Sequence, residues 1–249
     1  MSRNGFYLIF VFPPFHQSCH LLMPTAKVYI VRHGETNENR AHIIQGHRDT
    51  VLNDAGKRQA EMAVDVFRKI DLDWAFTSDL KRAVETTEII LKDHPRGDQI
   101  KLVKDRNLRE RGLGILEGMH LSERRKMQSG VVDETAEHPE VFLARALGWW
   151  DREIVQGAAH APPKAKDVPY EILVVSHGGF ISSLVRHLVS SGRARGEVSS
   201  WICHNVSITE IELAGGKPGG KLIRYSDTAH TEAERLVQYN ADILRDAGL

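Results

Sequence analysis

The sequence predicts an α/β fold, a three-layer α/β/α arrangement around a mostly parallel central sheet. Three observations predict it. Segments 27–32 (KVYIVR) and 171–176 (EILVVS) are short β-branched apolar runs, without the alternation of a strand that keeps one face wet. Segments of helical period separate these and other strand-like runs, the pattern of a sheet covered on both faces. The composition is that of an ordinary globular chain, with 41% hydrophobic and 27% charged residues over 249 positions.

The elements follow in order. Segment 27–32 is the first strand. Asn53 or Asp54 caps a helix to about Ile70, with Ala60, Ala63, Val64 and Phe67 on its apolar face. Segment 74–78 (WAFTS) is the second strand, after which Asp79 is placed to cap a helix carrying Leu80, Ala83, Val84, Thr87 and Ile90, ended before Pro95. Segment 100–104 (IKLVK) is a short third strand, followed by a glycine-punctuated loop over 106–118. The acidic stretch 133–140 is expected to be solvated, and a helix is expected over 142–154. Strand 171–176 leads into a helix over 178–189, and 206–213 with 221–225 form a hairpin around a Gly/Pro turn.

Residues 27–249 are expected to form one domain, and 1–26 an extension, either a leader or a segment ahead of a natural start at Met23. Its apolar run 5–12 (GFYLIFVF) has eight residues, against about 20 for a membrane span. No membrane association is expected. Two cysteines, Cys19 and Cys203, cannot build a disulfide framework and point to a reducing, cytoplasmic setting. Thirty-three basic and 33 acidic residues give a net charge of +0, without the basic excess of a nucleic-acid binder. Oligomeric state is not readable.

In parallel sheets, ligands sit beyond the carboxyl ends of the strands. Here those ends carry Arg32-His33-Gly34-Glu35, then Ser78-Asp79 with Arg82, then Arg109-Glu110-Arg111, then His177-Gly178-Gly179. A neutral imidazole is a good nucleophile toward phosphorus. Arginine forks and a second histidine can hold the equatorial oxygens of a transferring phosphoryl group. The arginine charges disfavour protonation of His33. Glu110 can protonate a leaving alkoxide and then deprotonate water. Residues 106–126 hold six Lys/Arg and three Asp/Glu, a local excess that suits a multiply charged substrate.

The run Val31-Arg32-His33-Gly34-Glu35-Thr36 resembles the signature of the histidine phosphatase, or phosphoglycerate-mutase-like, superfamily. The similarity continues through Asn39, Gln45-Gly46, 52–56 (LNDAG), Ser78-Asp79-Leu80 with Arg82, Arg109-Glu110-Arg111, Leu116-Glu117-Gly118 and Ser176-His177-Gly178, about residues 27–225 in all. The resemblance implies His33 as phosphorylated nucleophile, Arg32, Arg82 and His177 as holders of the phosphoryl group, and Glu110 as acid/base. It also implies substrate contacts from Asn39, Gln45, Gly46 and Gly178, with no metal or cofactor.

Within the superfamily the details favour a phosphatase for small phosphorylated metabolites, sugar bisphosphates among them. Mutases typically place Trp where Glu38 stands, and follow the catalytic Glu with Arg-His-Tyr-Gly, where this chain has Arg111-Gly112-Leu113-Gly114. Segments 43–46 (IIQG) and 108–118 (LRERGLGILEG) look like fructose-2,6-bisphosphatase-type and broad-specificity members. A cofactor-dependent mutase and an inactive phospho-ligand docking module are the alternatives.

Other features have plainer readings. Arg82 could pair with Glu85 or Glu88 on its own helix. Asn39 and Gln45 could only cap turns. The run 215–221 (GGKPGGK) lacks the Ser/Thr and helix of a phosphate loop. His16, Cys19 and His20 lack a second ligand pair for zinc. Asn205-Val206-Ser207 is a sequon of no consequence in a cytosolic chain, and Trp149-Trp150 reads as core.

Overall fold

The computed structural model describes residues 26–127, 133–162, 164–165, 168–213 and 219–231. The extension up to residue 25, with its histidine–cysteine cluster, and the turn 214–218 lie outside the described residues.

The elements are β1 (Ala26–Arg32), α1 (Asn37–Arg40), α2 (Asp54–Phe67), β2 (Trp74–Thr77), α3 (Lys81–Lys92), β3 (Lys101–Lys104), α4 (Leu121–Arg124), α5 (Pro139–Trp149), α6 (Gly157–His160), β4 (Tyr170–Ser176), α7 (Gly178–Ser190), β5 (Ala194–Arg195), β6 (Ile208–Leu213) and β7 (Gly220–Asp227). A π-helical segment, Trp150–Gln156, joins α5 to α6. Among the described residues, the strands form one sheet in the order β3-β2-β4-β1-β6-β7-β5. β6 is antiparallel to both its neighbours, and every other pairing is parallel. The expected mostly parallel sheet is therefore present, with β5 as a short strand that the sequence pattern did not single out.

Two cores cover the sheet. Val28 and Ile30 of β1 join Phe142, Ala146 and Trp149 of α5 and Phe180, Leu184 and Leu188 of α7. Tyr29 and Val31, one residue out of phase, join Ala63 and Phe67 of α2 and Ala83 and Ile90 of α3. The two-residue period of the strand thus feeds both layers, and each large apolar side chain so buried contributes about 1.5–3 kcal/mol. Trp149 and Trp150 are core, as expected, at 1% and 2% exposure.

This layering positions the site. β1 and β4 are parallel neighbours in register, with Arg32 opposite Ser176. The chain leaves β1 toward α2 on one face and leaves β4 toward α7 on the other. The crevice opened where two such connections diverge is where α/β sheets bind ligands, and His33 and His177 are the first residues past the two strands. Close approach at this edge depends on glycine. A Cβ on Gly34 would lie 2.5 Å from the carbonyl oxygen of Gly56, and one on Gly56 would lie 2.1 Å from that of Glu35. Asn53 caps α2, as predicted, by accepting the Gly56 N–H at 2.8 Å.

Two expectations are corrected. Asp79 does not cap α3: the cap position is Leu80, without a side-chain bond, and the Asp79 carboxylate instead holds Arg109. The helix expected over 142–154 begins at Pro139, and Glu137, in the stretch expected to be solvated, is largely enclosed. No helix of the described residues is long and apolar enough to cross a membrane.

Candidate active site

His33 stands at the end of β1 with 1% exposure. Its Nδ1 lies 2.7 Å from the carbonyl oxygen of Gly34. A carbonyl only accepts, so Nδ1 carries the proton and Nε2 keeps its lone pair. Arg82 Nε donates to that Nε2 at 3.3 Å. Burial holds the His33 imidazole well below the usual histidine range, and the charges of Arg82 and Arg32 push the same way. Asn205 Nδ2 donates to the His33 carbonyl at 2.8 Å, and Gly34 N–H donates to Thr86 Oγ1 at 3.0 Å, so the backbone on both sides of the imidazole is tied down.

Arg82 is fully buried in the first turn of α3. Its terminal nitrogens donate to the carbonyls of Arg48 at 2.7 Å and Gly46 at 2.9 Å. The alternative partners are engaged elsewhere: Glu85 accepts the Leu52 N–H, and Glu88 meets Lys104. Arg32, 1% exposed, donates to the Cys203 carbonyl at 2.7 Å. His177 completes the group, with its ring centroid 5.1 Å from that of His33. Its Nε2 lies 2.9 Å from Ser78 Oγ, while its Nδ1 is buried without a hydrogen-bond partner among the described residues. Burial, then Arg82, holds His177 well below the usual histidine range.

Glu110 is 1% exposed. Its Oε2 accepts the Gly179 N–H at 2.7 Å in the first turn of α7, and its Oε1 accepts the Arg111 N–H at 3.0 Å. The close backbone approach at the glycine pair after His177 is made by Gly179 to the carboxyl group of Glu110. A Cβ on Gly179 would lie 2.3 Å from Glu110 Oε1. Gly178 is buried at the start of α7.

Asn39, in α1, and Gln45 and Gly46, in the loop after it, lie between β1 and α2. Thr36 caps α1 with Asn39 in a reciprocal pair of bonds, so the turn-capping reading of Asn39 holds for its Oδ1. Its buried Nδ2 has no partner among the described residues. Gln45 Oε1 accepts from Thr36 and Thr50 hydroxyls at 3.0 and 2.6 Å. Gly46 adopts φ +49°, and a Cβ there would meet Glu117 Oε1 at 2.3 Å. Glu117 braces two loops through the N–H groups of His47 and Leu113. Asn205, set aside in the sequence as a sequon, is fully buried behind His33. Arg145 and Glu137, which the sequence did not single out, enclose the Glu110 loop. The basic excess of residues 106–126 is partly cancelled, since Arg109 forms a two-bond pair with Asp79 at 2.7 Å.

The chain is similar in sequence and in fold to known proteins. Residues 28–228 match the family model of the histidine phosphatase superfamily (branch 1). A probable phosphatase of Schizosaccharomyces pombe is 32% identical over 220 residues, covering 84% of this chain and 96% of its own. The fructose-2,6-bisphosphatase TIGAR B of Danio rerio is 32% identical over 197 residues, covering 67% of this chain and 76% of its own. The crystal structure of a phosphoglycerate mutase from Bacillus anthracis superposes with a TM-score of 0.68 at 25% identity, covering 84% of this chain and 96% of that one. The matched span runs from Val28 within β1 through β7 and takes in all four strand-end segments, and the chain belongs to the histidine phosphatase superfamily.

Proposed function

We propose that this protein hydrolyses small phosphate monoesters, sugar bisphosphates among them, through a phosphohistidine at His33. The observation that carries the reading is the His33 ring, whose Nδ1–H is spent on the Gly34 carbonyl and whose Nε2 lone pair sits beside the Arg82 guanidinium. A nucleophile with a fixed tautomer next to a fixed cation suits attack on a dianionic ester.

In the first step Nε2 attacks phosphorus and the P–O ester bond breaks. The leaving alkoxide takes a proton from Glu110. In the second step Glu110 removes a proton from water, the resulting hydroxide attacks phosphorus, the P–N bond breaks and inorganic phosphate leaves. Arg32, Arg82 and His177 hold the equatorial oxygens through both transfers, without metal or cofactor. Ser78 Oγ accepts the Leu80 N–H at 3.4 Å, which leaves its own proton for His177 Nε2. His177 then carries its proton on the buried, unbonded Nδ1 as a donor to the phosphoryl group. Asn39 Nδ2 is a second such donor. Buried donors without partners are rare in folded proteins, and an anion would satisfy both. The family resemblance supports Gln45 and the backbone at Gly46 and Gly178 as further substrate contacts.

The phosphatase name of the TIGAR B relative supports sugar bisphosphates as candidates, and the two-cysteine composition supports a cytoplasmic setting. The test is phosphate release across a panel of phosphorylated metabolites, with and without bisphosphoglycerate. Release independent of bisphosphoglycerate and lost in His33→Ala is expected. Phosphoryl exchange that requires bisphosphoglycerate would replace the phosphatase reading with the mutase one.

A further inference from the structure

Between Arg109 and Gly114 the chain has no regular secondary structure, yet Glu110 and Gly112 are buried there. Buried backbone groups outside helices and sheets need partners from elsewhere. Arg145, from the middle of α5, supplies them. Its two NH1 protons go to the carbonyls of Asn107 at 2.7 Å and Arg109 at 3.0 Å, and one NH2 proton goes to the carbonyl of Glu110 at 3.2 Å. Its Nε and remaining NH2 proton form a two-bond pair with Glu137 at 2.8 Å each. A guanidinium has five N–H donors, and all five are spent, so Arg145 has none left for a substrate.

Glu137 holds the other half of the same loop. Its Oε2 accepts the Gly112 N–H at 3.1 Å, its carbonyl accepts Arg111 Nε at 2.7 Å, and its own N–H donates to the Gly112 carbonyl at 2.8 Å. His47 Nε2, 2.8 Å from the Glu110 carbonyl, adds a bond from the loop before α2. The Glu110 backbone is thus gripped on both sides, and its carboxylate has only a short reach to the α7 N-terminus.

We propose that Arg145 and Glu137 form a clamp that sets the position of the Glu110 carboxylate for proton transfer. Both are positioning residues, and the proposal rests on the reading of Glu110 as acid/base. The fork matters as well as the charge. A lysine ammonium offers three donors from one point and cannot reach three carbonyls and a carboxylate together.

The experiment measures single-turnover phosphorylation of the intact enzyme by glucose 6-phosphate, whose leaving alkoxide needs a proton, and by p-nitrophenyl phosphate, whose phenolate barely does. Glu110→Gln, as reference, is expected to slow the sugar phosphate selectively. Arg145→Gln and Glu137→Gln should show the same selectivity, with the sugar phosphate slowed by about 10²-fold for a displacement of about 1 Å. Arg145→Lys should recover part of the rate. Adding Arg145→Gln to Glu110→Gln should cost little more, because the clamp acts through a carboxylate already removed. Equal slowing of both substrates in the clamp variants, a raised KM with unchanged kcat, or additive losses would overturn the clamp while leaving Glu110 in place. An unselective Glu110→Gln would overturn the Glu110 reading and the clamp with it. Melting temperatures identify any variant that loses its fold, in which case Arg145→Lys and Glu137→Gln carry the same comparison.

Discussion

Gly179→Ala sets the chemistry of the site against its stability. Gly179 lies in the first turn of α7, and its N–H donates to Glu110 Oε2 at 2.7 Å. An added Cβ would stand 2.3 Å from Oε1, 2.9 Å from Cδ and 3.0 Å from Oε2. An ordinary contact begins near 3.4 Å, so the carboxylate must retreat by about 1 Å. The clash is with the far end of a side chain, which can rotate away. Its cost is the loss of one hydrogen bond that leaves a backbone N–H without its acceptor, about 1–3 kcal/mol. The helix gains about 1 kcal/mol from alanine in place of glycine. Net destabilisation should therefore be no more than about 2 kcal/mol. Activity has no such compensation, since a 1 Å displacement of a proton donor costs about 10²-fold. Rapid-quench phosphorylation by an alkyl phosphate, read beside thermal unfolding followed by circular dichroism, makes the comparison. An alkyl-phosphate rate within a few-fold of wild type would refute the placement of Glu110, and so would a collapse of the fold.

Three further outcomes are expected. Arg82→Ala strands two carbonyls, those of Gly46 and Arg48, at about 1–3 kcal/mol each where buried, and should lower both kcat and the melting temperature; a stable, active variant would mean that other groups hold the loop. His33 and His177 both titrate below the ordinary imidazole range in the folded protein. As pH falls through about 6.5 the unfolded chain therefore binds protons that the folded one refuses, and stability should drop by up to about 1.4 kcal/mol per pH unit for each. Unfolding midpoints from pH 8 to 5 check this, with a shallower acid slope expected in His33→Gln. Chelation by EDTA should leave phosphate release unchanged under the proposal that arginine and histidine hold the phosphoryl oxygens; strong inhibition would indicate a metal-assisted reaction.

Much of this was legible in the sequence because the site is built from strand ends. An apolar run that closes in Arg32-His33-Gly34 marks both a strand and what lies past it, and 171–176 followed by His177 repeats the signal. Those two segments alone locate the crevice once the strands are parallel neighbours. The supporting side chains carried no such mark. Glu137 sits in the stretch 133–140 that reads as solvated and Arg145, eight residues on, in the helix expected over 142–154, and only the tertiary fold lays them over the Glu110 loop. Asp79 carried a misleading mark: a carboxylate just before a helix is a good cap by propensity, but a two-bond ion pair with Arg109, 30 residues away, competed for it and won. Asn205 matched a modification motif, and its work behind His33 depends on a contact 172 positions distant. Local pattern predicts elements and their ends, whereas the partners that brace a loop are chosen by packing.

The central claim is that the phosphoryl group passes through His33. Wild-type protein mixed with radiolabelled substrate, quenched in alkali within milliseconds and digested, should yield one labelled peptide containing His33. The label should be stable to base and released by acid, as a P–N bond requires, and it should be absent from His33→Ala. Label that maps to any residue other than His33, or full turnover by His33→Ala, would contradict the account.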